Sequence, residues 1–189
     1  MGNNAANVTA GKPKIGGAVY VAPLSADLPE SVNDELTGFT CLGYVSDAGV
    51  ANDNSPASQS IKAWGGDIVM NTLTGKEDRF TFKLIEAMNT DVLSAVYGSS
   101  NVTGDLSTGI AVKAKAEQSE AAMFVIDMIL KNNVLKRIVV PNATVSEVSE
   151  IAYTDNDAVG YEITITAVPD ASGYTHYEYI KQSTPTPAS

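Results

Sequence analysis

The chain has 189 residues, of which 44% are hydrophobic and 18% are charged, a composition typical of a globular protein rather than a disordered one. Twelve basic and 22 acidic residues give a net charge of −10, which disfavours a nucleic-acid-binding protein because such proteins neutralise phosphates with Lys and Arg. No apolar run approaches the ~20 residues that a membrane-spanning helix needs, and the N-terminal residues lack the hydrophobic segment of a secretory signal.

The first part of the chain is predicted to contain an N-terminal arm followed by four strands. Residues 1–16 are small and polar and are expected to form a flexible arm. Residues 46–60 form a long polar stretch without periodicity, which predicts a loop that is functional or disordered. Gly65 and Gly66 indicate a break or bulge within one strand. The four predicted strands are 17–23, 39–45, 61–73 and 78–84.

One short amphipathic helix is predicted at about 89–97. Asn89 or Thr90 serves as N-cap, Asp91 lies in the positive first turn, and Gly98 stops the helix. The apolar residues share one face at helical spacing, which predicts packing on a sheet. They are Val92, Leu93, Val96 and Tyr97.

The second half is rich in alternating and apolar segments that predict further strands. Asn132 and Asn133 indicate a tight hairpin turn, and Pro141 is expected to end the strand that follows. Residues 182–189 form a Pro/Thr tail that is too poor in apolar residues to fold. The predicted strands are 109–117, 122–130, 134–140, 144–153, 159–168 and 175–181.

These elements together predict a mainly β fold with one helix. Nine or ten strands favour an antiparallel β-sandwich or a barrel-like arrangement. No composition shift marks a boundary, so residues 17–181 are predicted to form a single domain between the arm and the tail.

The sequence contains no motif that supports catalysis. It has no phosphate-binding loop, no serine nucleophile elbow, no zinc-protease motif and no paired cysteines. Cys41 lies in an apolar stretch and is interpreted as a small buried hydrophobic residue, which leaves His176 without a nucleophilic partner. We therefore predict no catalytic, cofactor-binding or metal-binding residues.

Residues 153–162, YTDNDAVGYE, resemble a calcium loop in part. Asp155, Asp157 and Gly160 match positions 1, 3 and 6 of that loop. Val159 stands where an oxygen ligand is needed, and Thr166 stands where the bidentate Glu is needed. The mismatch favours a hairpin turn, in which Asp and Asn adopt turn conformations readily.

Five segments stand out for the order in which they follow one another; they are GAVYVAP, LGYVSDAGV, WGGD, KEDRFTFKLIEAMNTDVLSAVYG and KRIVVPNATVSEVSEIAYTDNDAVGYEITITAVPD. Their order, over roughly residues 17 to 178, resembles that of the tail tube proteins (major tail proteins) of long-tailed bacteriophages.

The resemblance implies a structural virion protein without catalytic residues. Subunits of that family form hexameric rings that stack into a hollow tube, through which the genome passes without sequence-specific binding. By resemblance, residues 46–60 would be the loop that reaches the adjacent ring. The implied partners are further copies of the chain, a tape-measure protein and the tail terminator and initiator proteins. The implied location is the phage tail, after synthesis in the host bacterial cytoplasm.

Three alternatives remain open from the sequence. A tube subunit of a related injection particle or a defective prophage would have the same pattern. A β-rich chain with a Thr/Pro tail also suits an immunoglobulin-like adhesion module on a cell surface, although such a module is expected to carry a signal peptide. A small hydrolase would need a nucleophile and a base, which one Cys and one His hardly provide.

Overall fold

The computed structural model describes residues 2–117 and 119–183, and within them the chain forms thirteen strands and one α-helix. The helix α1 is Thr90–Tyr97, and short 3-10 turns lie at Ala5–Asn7, Ser99–Asn101 and Lys131–Asn133. The strands are β1 (Lys12–Pro13), β2 (Val19–Pro23), β3 (Thr40–Cys41), β4 (Val45–Asp53), β5 (Pro56–Lys62), β6 (Ile68–Lys76), β7 (Arg79–Leu84), β8 (Val102–Thr103), β9 (Ala111–Val112), β10 (Ala122–Leu130), β11 (Val134–Val148), β12 (Tyr161–Ala167) and β13 (Tyr177–Gln182).

Nine of these strands form one antiparallel sheet. Its main order is β3-β2-β10-β11-β12-β7-β4, with β1 added to β10 and β13 added to β11. The sheet does not close into a barrel, and α1 packs against it. The predicted mainly β, sandwich-like fold with one helix is confirmed.

The hairpin β10–β11 lies at the centre of the sheet. Its turn contains Asn132 and Asn133, both with positive φ (60° and 56°), a conformation that Asn tolerates better than most residues. The predicted tight turn at these two residues is confirmed.

The prediction that Pro141 ends a strand is wrong, because β11 continues through it to Val148. A proline in a strand interior normally removes a ladder hydrogen bond. Here the ladder with β10 is irregular between Phe124 and Ala122. On the other side of β11, the residues up to Val139 pair with β13, and the residues from Ala143 onward pair with β12. Pro141 therefore occupies a position where ladder pairing is already interrupted.

The main hydrophobic core lies on the face of the sheet that carries α1. Side chains at alternating positions of the central strands point into it, as the period of two requires. Asn89 caps the start of the helix, since its side-chain oxygen accepts a hydrogen bond from the Asp91 N–H (2.9 Å), and Gly98 caps its end. The predicted helix and its apolar face are therefore confirmed. Its buried members are Val92, Leu93 and Val96, packed with Phe80, Phe82, Leu84, Phe124, Ile126, Ile163 and Ile165.

A smaller core lies on the opposite face, under the connection between β2 and β3. Met123, Val125 and Val139 are buried there against residues of that connection, including Leu28 and Leu36. The next pair along the same face is Asp127 and Arg137, which are cross-strand partners and 3% and 2% exposed. The Arg137 Nη1 donates to the carbonyl oxygens of Ser31 and Asp34 at 2.9 Å each, so the connection is tied to the sheet.

The N-terminal arm, predicted as residues 1–16, runs onto the sheet where β1 pairs with the end of β10. Lys14 adds an ion pair, with its Nζ 3.1 Å from the Asp127 Oδ2. The predicted C-terminal tail, 182–189, begins with Gln182 at the end of β13, and its residues 184–189 lie outside the described residues.

Candidate functional site

The strands β5 and β6 form a two-stranded sheet that is separate from the main sheet. Every described side chain from 55 to 77 is exposed. We call residues 56–76, which comprise β5, its turn and β6, the projecting hairpin. Its exposure shows that it makes no core with the rest of the subunit.

The projecting hairpin continues a strand pair of the main sheet. β4 and β7 pair with one another as far as Asp53 and Arg79. The hairpin begins three residues after Asp53 and ends three residues before Arg79. Its tip turns at Gly65 and Gly66, which have φ of 118° and 101°, values that only glycine adopts without strain. The predicted bulge at these glycines is thus the turn of a hairpin.

The long polar stretch predicted as a loop, 46–60, has a different local structure. It forms most of β4 and the first part of β5. Its lack of hydrophobic alternation follows from its environment, because every side chain of β5 is exposed and no side chain of β4 is fully buried. A strand that packs against nothing carries no period-two signal, so the sequence pattern could not reveal it.

The exposed side chains of the projecting hairpin are unusually apolar. Trp64 at the tip is fully exposed, and five further large apolar residues are about half exposed or more; they are Ile61, Ile68, Val69, Met70 and Leu73. A two-stranded hairpin without packing is at best marginally stable in water. Exposed apolar surface of this kind marks a site of protein association, so the hairpin is the candidate functional site.

The base of the projecting hairpin is held by a buried carboxylate. Asp78 lies two residues after the hairpin and is fully buried. Its Oδ1 accepts from the Asn52 Nδ2 at 2.7 Å, and its Oδ2 accepts from the Thr175 Oγ1 at 2.7 Å and contacts the His176 Nδ1. The aromatic ring of His176 packs edge-on against Phe80. Asp78 thus joins β4, which leads into the hairpin, to the segment that leads into β13.

The same contacts set the charge state of Asp78. Burial raises the pKa of this carboxyl group, but the hydrogen bonds from Thr175, Asn52 and His176 outweigh burial and lower its pKa below the ordinary value. The carboxylate is therefore ionised in the folded protein at neutral pH.

The residues examined for catalysis are not brought together. The Cys41 Sγ is partly buried on β3 and accepts from the Gly43 N–H at 3.4 Å, whereas His176 contacts Asp78. Among the described residues, no three His, Cys, Asp or Glu side chains are grouped so that they could hold a metal ion. The absence of catalytic, cofactor and metal residues stays a prediction.

The acidic turn at 153–162 connects β11 to β12 on the surface. The Asp157 Oδ1 accepts from the Ala158 N–H at 2.8 Å, and its Oδ2 lies 3.8 Å from the Lys83 Nζ. Gly160 is explained by packing, because a Cβ there would lie 2.8 Å from the Leu84 carbonyl oxygen of β7. Gly160 therefore has a packing role that does not involve a metal ion. The absence of calcium binding at residues 153–162 stays a prediction.

The sequence predicts a break at Gly65 and Gly66 but does not identify the projecting hairpin. The available signal was the pair of Ser/Thr-rich segments on either side of WGGD, which together have the length of a hairpin. What the sequence could not show was that neither face of this hairpin is covered.

A family model described as phage tail tube protein matches residues 1–189, the whole chain. The chain therefore belongs to the phage tail tube proteins and is a structural component of a virion tail. Among curated proteins, none matches the sequence. Within residues 2–117 and 119–183, no helix is long and apolar enough to cross a membrane.

Proposed function

We propose that this tail tube protein assembles with copies of itself into hexameric rings, that the rings stack into a hollow tube, and that phage DNA passes through this tube to the host. The observation that carries the proposal is the projecting hairpin, whose apolar side chains are exposed in the single subunit. Burial of such surface between subunits removes it from water and drives association.

Open strand edges support the same proposal. β4 has nine residues and pairs only with β7 among the described strands, and β13 pairs only with β11. An unpaired edge presents backbone N–H and C=O groups that a strand of another copy can satisfy. In a closed ring every such edge meets a neighbour, which prevents open-ended aggregation within the ring.

The predicted stacking role of residues 46–60 is retained in a revised form. This segment supplies β4 and the start of the projecting hairpin, so we propose that the hairpin as a whole, and not a flexible loop, makes the contact between rings. The arm 1–16 and the tail 182–189 are proposed to add contacts on assembly.

The proposal includes the remaining partners and excludes catalysis. Copies at the ends of the tube meet a tape-measure protein and the terminator and initiator proteins, and DNA passes as a cargo that is not recognised by sequence. A net charge of −10 suits this role because an acidic wall repels phosphates. Synthesis takes place in the host bacterial cytoplasm, and no reaction is catalysed.

The family match over the whole chain disfavours an immunoglobulin-like adhesion module. A tube subunit of a related injection particle or a defective prophage is the second candidate, because the same hairpin and edges would serve it. A tape-measure gene among intact tail genes next to this gene would favour the phage.

Assembly can be tested by mass photometry and negative-stain electron microscopy over a concentration series. We expect rings or tubes for the natural protein, and a loss of both for Leu73→Lys on the projecting hairpin. Leu106→Lys is the matched control, because Leu106 is similarly exposed (70%, against 63% for Leu73) but lies outside the hairpin. A natural protein that stays monomeric at every concentration, alone and with its initiator proteins, would overturn the proposal.

A further inference from the structure

The projecting hairpin has two faces, and both are apolar. Between 58–61 and 70–73 the ladder is regular, with Ile61 opposite Met70 and Ser58 opposite Leu73. Cross-strand partners share a face, and neighbours along a strand point to opposite faces. Ile61 and Met70 therefore lie on one face, which we call the first face, and Leu73 lies on the other, the second face.

The second face extends beyond Leu73 towards the tip. Lys62 follows Ile61 and is opposite Ile68, and a register shift between these two pairs leaves Val69 as an extra residue in β6. Because this bulge interrupts the alternation of β6 between Met70 and Ile68, Ile68 lies with Lys62 on the side of Leu73. Ile61 and Met70 are 49% and 55% exposed, and Ile68 and Leu73 are 59% and 63% exposed. These values show that the subunit itself covers neither face.

Two apolar faces require two covering surfaces. An antiparallel ribbon that lies on one partner carries apolar residues on the covered face and polar residues on the face that meets water. Here contact with a single surface would leave Ile61 and Met70, or Ile68 and Leu73, in water. The pattern fits a hairpin that is enclosed from both sides.

Charge indicates what covers the projecting hairpin. Lys62 and Lys76 against Asp67 give the hairpin a net charge of +1, so the rest of the chain carries −11. Residues 138–180 alone contain seven Asp and Glu and no Lys or Arg. Neither lysine of the hairpin forms an ion pair within the described part of its own chain. The body of another copy is therefore complementary to the hairpin in charge.

We propose that the projecting hairpin of each subunit inserts between two other copies of this chain, with the first face against one copy and the second face against the other. Each hairpin then links three chains. This inference rests on the proposed self-assembly and adds to it the number of partners and the face that meets each one.

Photo-crosslinking in mixed assemblies tests the inference directly. A photo-crosslinking residue replaces Gln59, which lies on the first face opposite Thr72, or Ser58, which lies on the second face. Both positions are exposed and polar, so the apolar contacts stay in place. Tagged subunits with one or both replacements are assembled in a large excess of unmodified subunits, which leaves each tagged subunit surrounded by natural neighbours.

We expect covalent dimers from each single replacement and covalent trimers from the double replacement. Two faces that touch the same copy would give dimers only, and a face that touches no copy would give no product from its position. Either result in otherwise normal tubes overturns this inference while the proposed function stands. A natural protein that forms no tubes and no crosslinks at any concentration overturns both.

Substitutions provide a second measurement that does not depend on crosslinking. Met70→Thr on the first face and Leu73→Thr on the second face each remove one exposed apolar side chain, so neither is expected to unfold the subunit. We expect each to raise the concentration needed for assembly about tenfold, because each apolar contact is lost separately. An effect confined to one face would contradict the inference.

Discussion

The change Asp127→Asn removes the negative half of a buried ion pair at the centre of the sheet. The Arg137 Nε and Nη2 donate to the two carboxylate oxygens of Asp127 at 2.7 and 2.8 Å. Burial raises the pKa of Asp127, but its hydrogen bonds and charge interactions with Arg137, and then with Lys14, lower the pKa below the ordinary value. Asparagine has nearly the same shape, so the change affects charge and hydrogen bonding more than packing.

The expected cost follows from the burial of both partners. In the variant, the asparagine Oδ1 can accept from only one of the two Arg137 donors that Asp127 satisfies, and the asparagine NH₂ group faces the other. The Arg137 guanidinium also keeps the backbone carbonyls of Ser31 and Asp34. Breaking a buried pair by removing one partner costs about 3–5 kcal/mol. At roughly 2–4 °C per kcal/mol for a chain of this size, the melting temperature should fall by about 6–20 °C.

Urea unfolding followed by far-UV circular dichroism measures this cost. Urea leaves the ion pair unscreened, unlike a guanidinium salt. Fluorescence of Trp64 is unsuitable, because this side chain is fully exposed on the projecting hairpin and does not report on the core. The protein must be monomeric at the concentration used, since assembly adds stability by mass action.

Lys14→Met is the control, since Lys14 pairs with the same carboxylate but is 38% exposed, and a pair of this kind contributes about 0–1 kcal/mol. The double variant Asp127→Leu with Arg137→Met should lose less than the sum of its single changes, because no charge is left buried without a partner. A cost for Asp127→Asn no larger than that for Lys14→Met would refute the reasoning.

Three further predictions concern the hairpin base, the acidic turn and the metal question. The pKa of Asp78 is lowered on folding, so the contribution of this carboxylate to stability is complete above the unfolded pKa of about 4 and is lost as the pH falls through the lower folded pKa. Asp78→Asn should therefore weaken the loss of stability in acid, as the urea midpoints of both proteins between about pH 2 and 5 will show. Gly160→Ala should lower the free energy of unfolding by about 1–3 kcal/mol, because the new Cβ meets the Leu84 carbonyl oxygen. Gly75→Ala is the control: its Cβ lies in open space, so the free energy of unfolding should change by less than about 0.5 kcal/mol. Equal effects of the two changes would contradict the packing explanation. Calcium should leave the melting temperature unchanged, and a saturable increase would show that residues 153–162 bind the ion after all.

Local signals made much of the fold predictable. Asn89 and Gly98 bound the helix because the groups that cap a helix lie within a few residues of its ends. The turn at Asn132 is equally local, since positive φ is a property of the residue itself. The strands β7 and β12 alternate clearly because one face of each is buried.

The projecting hairpin was not predictable in the same way. Its segments carry apolar and polar residues without a buried face to sort them, so its first residues, 56–60, fall in the predicted loop and residues 61–73 fall in one predicted strand. Pro141 shows the same limit, because its position within β11 depends on which strands pair on either side.

The sequence by itself determined the mainly β class, the single helix, the acidic surface and the likeness to tail tube proteins, because composition, caps, turns and segment order are all local. Only the tertiary structure decided that Asp127 and Arg137 form a buried pair, that Asp78 holds the base of the hairpin, and that Ile61 and Leu73 lie on opposite, uncovered faces. These features depend on strand register, which places residues far apart in sequence opposite one another and which no single segment encodes.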